Sequence, residues 1–118
     1  MPASYKNLIV WQKSISLVTR LYEVTDKFPK EEIFGLVSQM RRCAVSIPSN
    51  IAEGRYRGTE KEFLHFIRIA YGSGAELETQ IEIAKRLPMT KMLDYTEIDT
   101  LLEEVMKMLN TLLRQSND

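Results

Sequence analysis

The chain has few of the residues that carry most catalytic chemistry, with one cysteine and one histidine among its 118 residues. A single cysteine cannot form an internal disulfide, which is typical of a protein from a reducing compartment. We expect Cys43 to be a small buried residue, because Ala44 and Val45 follow it. One cysteine and one histidine give weak grounds for a Cys–His or Ser–His–Asp nucleophilic site. We therefore predict no catalytic residues, no cofactor and no enzymatic activity.

Long apolar runs and strand-like patterns are also lacking. No uncharged apolar run approaches the roughly 20 residues that a membrane span needs. The first residues, MPASYKNLIVWQK, do not have the apolar core of a cleavable signal. We expect a soluble, cytoplasmic protein that does not use a membrane.

Net charge is absent overall, since 16 basic residues balance 16 acidic ones. This argues against a protein coated in positive charge for bulk nucleic-acid binding. The balance hides an asymmetry: residues 1–57 have nine basic and five acidic side chains, a net of +4, and residues 58–118 have seven and eleven, a net of −4. The chain thus has a basic first half and an acidic second half.

What the chain does have is four segments in which apolar residues recur at spacings of three and four, the pattern of helices in a bundle. The first covers residues 8–26, the second begins near residue 31, the third runs from residue 59 to just before Pro88, and the fourth begins near residue 94. We predict an all-α fold, an antiparallel up-down four-helix bundle, as one domain over residues 1–118. The predicted core-facing rows are Leu8, Trp11, Ile15, Val18, Tyr22 and Thr25; Ile33, Val37, Met40, Ala44, Ile47 and Ile51; Phe63, Phe66, Ala70, Leu77, Ile81 and Ala84; and Ile98, Leu101, Val105, Met108 and Leu112.

Capping signals support these boundaries. Gly54 is typical of a left-handed C-cap, followed by a turn at residues 55–58. The sequence TEKE at Thr59 predicts a capping box, and DYTE at Asp94 predicts another.

The first segment also has a second apolar row, made of Val10, Leu17, Leu21 and Val24. A wide apolar arc either sits deep in its own bundle or is covered by a second copy of the chain. Both interpretations stay open at this point, so these four residues are candidate subunit contacts.

The stretch SIPSNIAEG, residues 46–54, sits inside the second segment, although proline usually breaks a helix. The apolar row continues through Pro48, which favours a bent helix over a loop or a catalytic site. Ala44 is small enough to ease the bend, and nearby Ser or Asn side chains are candidates to bond the carbonyl that the proline frees. Ser49, Asn50 and Glu53 are then candidate subunit or ligand contacts.

Two motifs resemble known sites but fit structural roles better. Glu62 and His65 form the Glu-x-x-His pair of di-iron bundles, yet such a site needs two pairs and the chain has one histidine. This leaves a site shared between subunits as a minor alternative and predicts no metal in one chain. Gly72, Ser73 and Gly74 lie in a predicted helix with no strand before them, so we predict close helix packing rather than phosphate binding.

Five basic residues flank a tyrosine around the end of the second segment. A basic loop with an aromatic ring suits RNA, because cations contact phosphates and rings stack on bases. The alternative is a solvated turn whose charges pair within the chain. The candidate nucleic-acid contacts are Arg41, Arg42, Arg55, Arg57 and Lys61.

From about residue 6 to 113 the chain resembles a bacterial four-helix-bundle family, the 23S ribosomal RNA intervening-sequence proteins. The resemblance lies in Trp11, Phe28-Pro29, Phe34-Gly35-Leu36, Arg41-Arg42, residues 46–54, Gly72-Ser73 and Glu76-Leu77-Glu78. It implies an antiparallel bundle that assembles into rings, typically pentamers, and it implies no catalytic residues. A related branch accompanies the reverse transcriptases of diversity-generating retroelements, where a basic ring is thought to bind nucleic acid and the enzyme.

Two functions follow as hypotheses. The first is a non-enzymatic, ring-forming homo-oligomer that binds RNA or an RNA–protein complex. The second is a protein-interaction scaffold without nucleic-acid binding, in which the basic half of one copy meets the acidic half of the next.

Overall fold

The computed structural model describes residues 4–115, except for the side chains of Ile33 and Phe34. Four long helices account for most of this range: α1 (Ile9–Thr25), α2 (Ser38–Arg57), α3 (Glu60–Arg86) and α4 (Thr96–Gln115). No strand occurs within residues 4–115. The predicted all-α fold with four helices is confirmed.

The helices enclose one apolar core. Each helix packs against the next one in the chain, and α4 packs against α1. Every helix contributes fully buried side chains, and the largest are Leu17, Leu21, Met40, Ile47, Ile51, Ile67, Leu77, Ile98 and Leu109. Burial of these apolar side chains away from water is the main source of stability for such a bundle.

The predicted inward row of α1 is confirmed only in part: Thr25 is buried, and Leu8, Trp11 and Val18 pack against the edge of the core. The buried residues of this helix are Val10, Ser14, Leu17, Leu21 and Thr25. Ile15 and Tyr22, expected inside, are instead 37% and 41% exposed. The second apolar row therefore faces the core. Periodicity gave two apolar rows about 100° apart, and spacing alone does not say which of them points inward.

The chain enters α2 through an irregular segment rather than a helix from residue 31. A short 3₁₀ turn (Lys30–Glu32) leads into a π turn (Ile33–Val37), where Gly35 has non-helical dihedral angles of φ −105° and ψ −107°. The Glu32 carboxylate accepts a hydrogen bond from the Leu36 amide at 3.4 Å. The regular helix begins only at Ser38. The predicted inward position of Ile33 lies outside the described side chains.

The C-cap prediction at Gly54 is also wrong. The helix continues to Arg57, and Gly58, with φ +90°, is the left-handed residue that ends it. Gly54 is buried and serves packing, because a Cβ there would lie 2.8 Å from Cβ of Phe66 in α3. The predicted turn at residues 55–58 is therefore mostly the last turn of α2.

Pro48 lies inside the continuous helix α2, so residues 46–54 are not a loop. Ala44, Ile47 and Ile51 are fully buried, which places both sides of the proline against the core, as the apolar row predicted. Asn50 donates hydrogen bonds to the Ser46 carbonyl at 2.8 Å and the Ser46 hydroxyl at 2.9 Å. This side chain thus serves Ser46 and not the carbonyl of Ala44, which the proline deprives of its helical partner.

The start of α3 agrees with its capping signal, whereas at α4 the Asp94 side chain bonds the Thr96 amide and not the Glu97 amide that the predicted capping box would use. The Thr59 hydroxyl accepts a hydrogen bond from the Glu62 amide at 3.2 Å. The Asp94 carboxylate accepts one from the Thr96 amide at 2.9 Å, and this bond holds the pKa of Asp94 below its usual range. In α4 the buried row is Ile98, Leu102, Val105 and Leu109, so Leu101 and Met108 of the prediction sit one position to the side.

Candidate interaction surfaces

A partly apolar groove runs along the outer side of α1 and α2, and we call it the α1/α2 groove. It has a volume of about 300 Å³. Ile15 and Val45 are 37% and 40% exposed there, although both are apolar. Exposed apolar surface of this kind marks sites of protein contact more often than bulk surface does. The lining residues are Tyr5, Trp11, Ile15, Val18, Val45, Pro48, Ser49 and Ala52.

Val45 also borders a second, larger cavity of about 690 Å³ toward the end of α1. Its walls combine the rings of Tyr22 and Phe28 with the cations Lys30 and Arg42. The two cavities follow one another along the same pair of helices, so the groove has an apolar middle and a basic end.

Most of the candidate subunit contacts on α1 face the other way. Val10, Leu17 and Leu21 are at most 5% exposed in the single chain, so they form its core and are not open to a second copy. Val24 is partly buried against the same core. This corrects the interpretation of the second row as a docking surface. The apolar row open to a partner is the one that contains Ile15. Val45 is also exposed, but it belongs to no predicted row and was missed from the sequence.

The contacts proposed around Pro48 divide in the same way. Ser49 is exposed and lines the α1/α2 groove. Asn50 is partly buried, and its side-chain amide already donates hydrogen bonds to Ser46. Glu53 is exposed and binds Arg57, with 2.8 Å between the carboxylate and the guanidinium. Only Ser49 therefore remains on the groove itself.

Arg41 is held against α1. Its Nε donates to the Thr25 hydroxyl at 2.9 Å, and its guanidinium lies 3.3 Å from the Asp26 carboxylate. The same guanidinium stacks 4.2 Å above the Tyr22 ring centre. These contacts fix the geometry of the basic end of the groove, while the neighbouring Arg42 is exposed.

The remaining basic candidates lie together where α2 meets α3, and we call Arg55, Tyr56, Arg57 and Lys61 the basic corner. Tyr56 is 72% exposed, and its ring centre lies 5.7 Å from that of Tyr5. The Arg57 guanidinium binds the carboxylate of Glu53, lies 3.9 Å from that of Glu62 and sits 5.1 Å from the Phe66 ring. The Glu53 hydrogen bond raises the pKa of Arg57, so this residue stays cationic.

The five basic candidates therefore do not form one patch. Arg42 and Arg55 are 13 residues apart on one helix, which corresponds to about 20 Å at 1.5 Å per residue. Arg41 and Arg42 belong to the groove, and the other three belong to the basic corner.

The three residues predicted for close helix packing have separate roles. A Cβ on Gly74 would overlap the Met106 sulfur, so this glycine allows α3 and α4 to approach. The Ser73 hydroxyl lies 2.9 Å from the Ser46 hydroxyl and links α3 to α2. Gly72 is exposed, and a Cβ there would meet no atom within 4 Å. Close packing within the chain is thus wrong for Gly72.

The lone histidine and cysteine occupy unrelated places. His65 is exposed and packs edge-on to Phe66 with 5.2 Å between ring centres. Within residues 4–115 no three His, Cys, Asp or Glu side chains come together as a metal site would need. Cys43 is buried, as predicted, and burial raises the pKa of its thiol.

Comparison with known proteins adds one finding. A family model described as 23S rRNA-intervening sequence protein matches residues 6–111, which is most of the chain. A search of curated proteins found no match. None of the helices within the described range is long and apolar enough to cross a membrane.

Proposed function

The chain belongs to the 23S rRNA-intervening sequence protein family, and we propose that it acts as a non-enzymatic homo-oligomeric bundle that binds RNA or an RNA–protein complex. The observation that carries the proposal is the juxtaposition of an exposed apolar groove with an exposed basic corner. The groove suits a second copy, and the corner suits a phosphate backbone. We propose the cytoplasm as the place of action and a ring, with five copies as the size that the family resemblance implies.

The basic corner supports RNA binding through two kinds of contact. Tyr56 presents an exposed ring on which a base can stack, and such stacking contributes about 1–3 kcal/mol per base. Lys61 and the two arginines supply cations beside that ring. In a ring of copies the corner would repeat, so several weak contacts on one RNA would add through effective concentration.

The second candidate function, a protein scaffold without RNA, is favoured by a different observation. Arg41 and Arg57 already bind carboxylates of their own chain, and the chain has no net charge. Fewer cations are then available for phosphates than the sequence offers. The groove alone would be the functional surface in this case.

We also infer that the helices run up and down in alternation. The ion pairs between α1 and α4 support this, because Lys13 binds Glu104 while Arg20, later in α1, binds Glu97, earlier in α4. The bend at Pro48 stays a prediction. A change of axis direction of more than about 20° across residues 44–48 in a crystal structure would establish it.

RNA binding can be tested by fluorescence anisotropy with a structured RNA at several salt concentrations. We expect the double variant Tyr56→Ala/Lys61→Gln to bind more weakly than the wild type. Loss of one phosphate contact should also reduce the slope of log K against log salt by about 0.7 to 0.9. Lys91→Gln/Met92→Ala is a matched control, because both residues are exposed and lie outside the corner. Absence of wild-type binding even at low salt would favour the scaffold instead.

A further inference from the structure

The larger of the two cavities described above has walls of cations and aromatic rings, and we call it the basic cavity. It lies between Tyr22, Phe28, Lys30, Arg41 and Arg42, where the end of α1 faces the start of α2. Its volume of about 690 Å³ is within the range of about 300–1,000 Å³ that is common for pockets binding small molecules. A cavity of this size and composition can hold a ligand of its own.

The charges of the basic cavity favour an anion. Lys30 and Arg42 are exposed, and neither forms an ion pair with a carboxylate in the part of the chain that the structure describes. The one acidic side chain in the walls, Asp26, already binds Arg41. Three cations and one carboxylate leave the walls with a net charge of +2.

Arg41 is held in place before any ligand arrives. Its Nε donates to the Thr25 hydroxyl at 2.9 Å, and its Nη2 faces the Tyr22 carbonyl at 3.4 Å and the Asp26 carboxylate at 3.3 Å. Among the described residues these bonds use Nε and Nη2, which leaves Nη1 for a ligand. A guanidinium whose plane is already fixed loses little freedom when it binds an anion.

The rest of the wall is apolar and suits a flat ring. Tyr22 is 41% exposed, and the Arg41 guanidinium stacks on its ring. The edge of Phe28 and the exposed side chain of Val45 continue this wall. Aromatic side chains stack on nucleobases because every base has a π-face. The cavity therefore places a surface for a flat ring beside a site for an anion.

We infer that the basic cavity binds a nucleoside monophosphate, either free or as the phosphorylated end of an RNA strand. A phosphate monoester has a charge of about −1.5 to −2 at neutral pH, which matches the charge of the walls. The phosphate lies among Lys30, Arg42 and Nη1 of Arg41, and the base lies against Tyr22. This inference goes beyond the proposed function, because Arg42 is about 20 Å along α2 from Arg55 in the basic corner.

Isothermal titration calorimetry with adenosine monophosphate, adenosine and inorganic phosphate tests this site. We expect the monophosphate to bind at least about tenfold more tightly than either part alone, because only it engages both the cations and the ring. Arg42→Gln should weaken binding of the monophosphate about tenfold and leave binding of adenosine unchanged. Arg68→Gln is a matched control, because it removes an exposed arginine of α3 outside the cavity.

A second variant tests the ring. Tyr22→Leu keeps apolar volume and removes the aromatic surface at a position exposed in the single chain, so the variant should fold, as circular dichroism would verify. It should bring the affinity for adenosine monophosphate close to that for inorganic phosphate. Equal affinities of wild type for adenosine and its monophosphate, or an Arg42→Gln variant that binds as the wild type does, would overturn the inference.

Competition with short RNAs distinguishes the two sources of the ligand. Displacement of adenosine monophosphate by an RNA with a 5′-phosphate, and not by the same RNA with a 5′-hydroxyl, would identify a strand end. Displacement by neither RNA would identify a free nucleotide. Tyr56→Ala/Lys61→Gln should leave binding of the monophosphate unchanged, so failure of RNA binding at the basic corner and failure of the cavity site are separate results.

Discussion

At the scale of single residues, two glycines inside long helices have opposite surroundings. Gly54 is buried where α2 crosses α3, and its missing side chain leaves room for Phe66 and for the Phe63 carbonyl. Gly72 faces open space. A substitution to alanine therefore has opposite expected effects at the two sites, although helix propensity favours alanine at both.

We predict that Gly54→Ala lowers the free energy of unfolding by about 1–3 kcal/mol, because the new methyl group would sit 2.8 Å from Cβ of Phe66 and 3.2 Å from the Phe63 oxygen. Gly72→Ala is the matched control and should raise it by up to about 1 kcal/mol. Urea denaturation at a concentration where the chain is monomeric measures both. Equal effects of the two substitutions would show that the α2–α3 contact is not as close as described.

Cys43 should behave as a buried structural thiol. Burial raises its pKa, so the native thiol stays protonated and reacts slowly with a thiol reagent at mildly alkaline pH, and reaction should become fast in denaturant. Because the unfolded thiol ionises first, stability should fall as the pH rises above the thiol's ordinary pKa. Cys43→Ala should lessen that alkaline decline. Native labelling as fast as in the unfolded chain would contradict the burial of this residue.

At the scale of helices, the start of α3 is set by a side-chain cap. Only Gly58 separates Thr59 from the end of α2, so this cap fixes where one helix stops and the next begins. We predict that Thr59→Ala lowers the free energy of unfolding by about 1 kcal/mol. Thr59→Asp should keep most of the stability that the cap provides, because aspartate is also a good N-cap. Thr111→Ala, at an exposed position inside α4, should stay within about 0.5 kcal/mol of the wild type. A cap variant with no effect would mean that packing alone sets this boundary.

The number of helices and the start of α3 followed from the sequence because they rest on local chemistry, whereas the predicted start of α2 was several residues too early. The capping residues Thr59 and Asp94 and the continuous apolar row through Pro48 were all readable from spacing. The facing of α1 was not, since the helix has two apolar rows and the choice between them depends on the other three helices. The predicted C-cap at Gly54 was wrong for a similar reason. A glycine suits either a turn or close packing against a neighbouring helix, and only the position of Phe66 shows which applies.

The candidate site was predictable only in part. The basic residues were identified by type, yet their separation into a groove and a corner follows from the length of α2, which the Gly54 cap prediction had shortened. Pairing of Arg41 with Asp26 depends on the contact of α1 with α2, which no local pattern encodes. Val45 was overlooked because a single apolar residue off the main row carries no periodic signal.

At the scale of the whole molecule, the candidate interaction surfaces lie mostly on the first half of the chain. The first half supplies the α1/α2 groove and all of the basic corner except Lys61. Zero net charge is compatible with a basic corner at the junction of α2 and α3, because most of the acidic side chains lie elsewhere in the second half of the chain. The central claim is that the assembled form, and not the single chain, holds RNA.

Sedimentation velocity of a labelled structured RNA with the wild-type protein tests this claim most directly. At low salt we predict that the RNA sediments with a protein species heavier than the 13.7 kDa monomer, and that it is released as the salt concentration rises. The Val45→Glu variant, which places a carboxylate in the α1/α2 groove, should release the RNA at lower salt, because a monomer offers one basic corner where an assembly offers several. RNA that sediments alone at low salt, or that binds the monomer as tightly as the assembly, would contradict the claim.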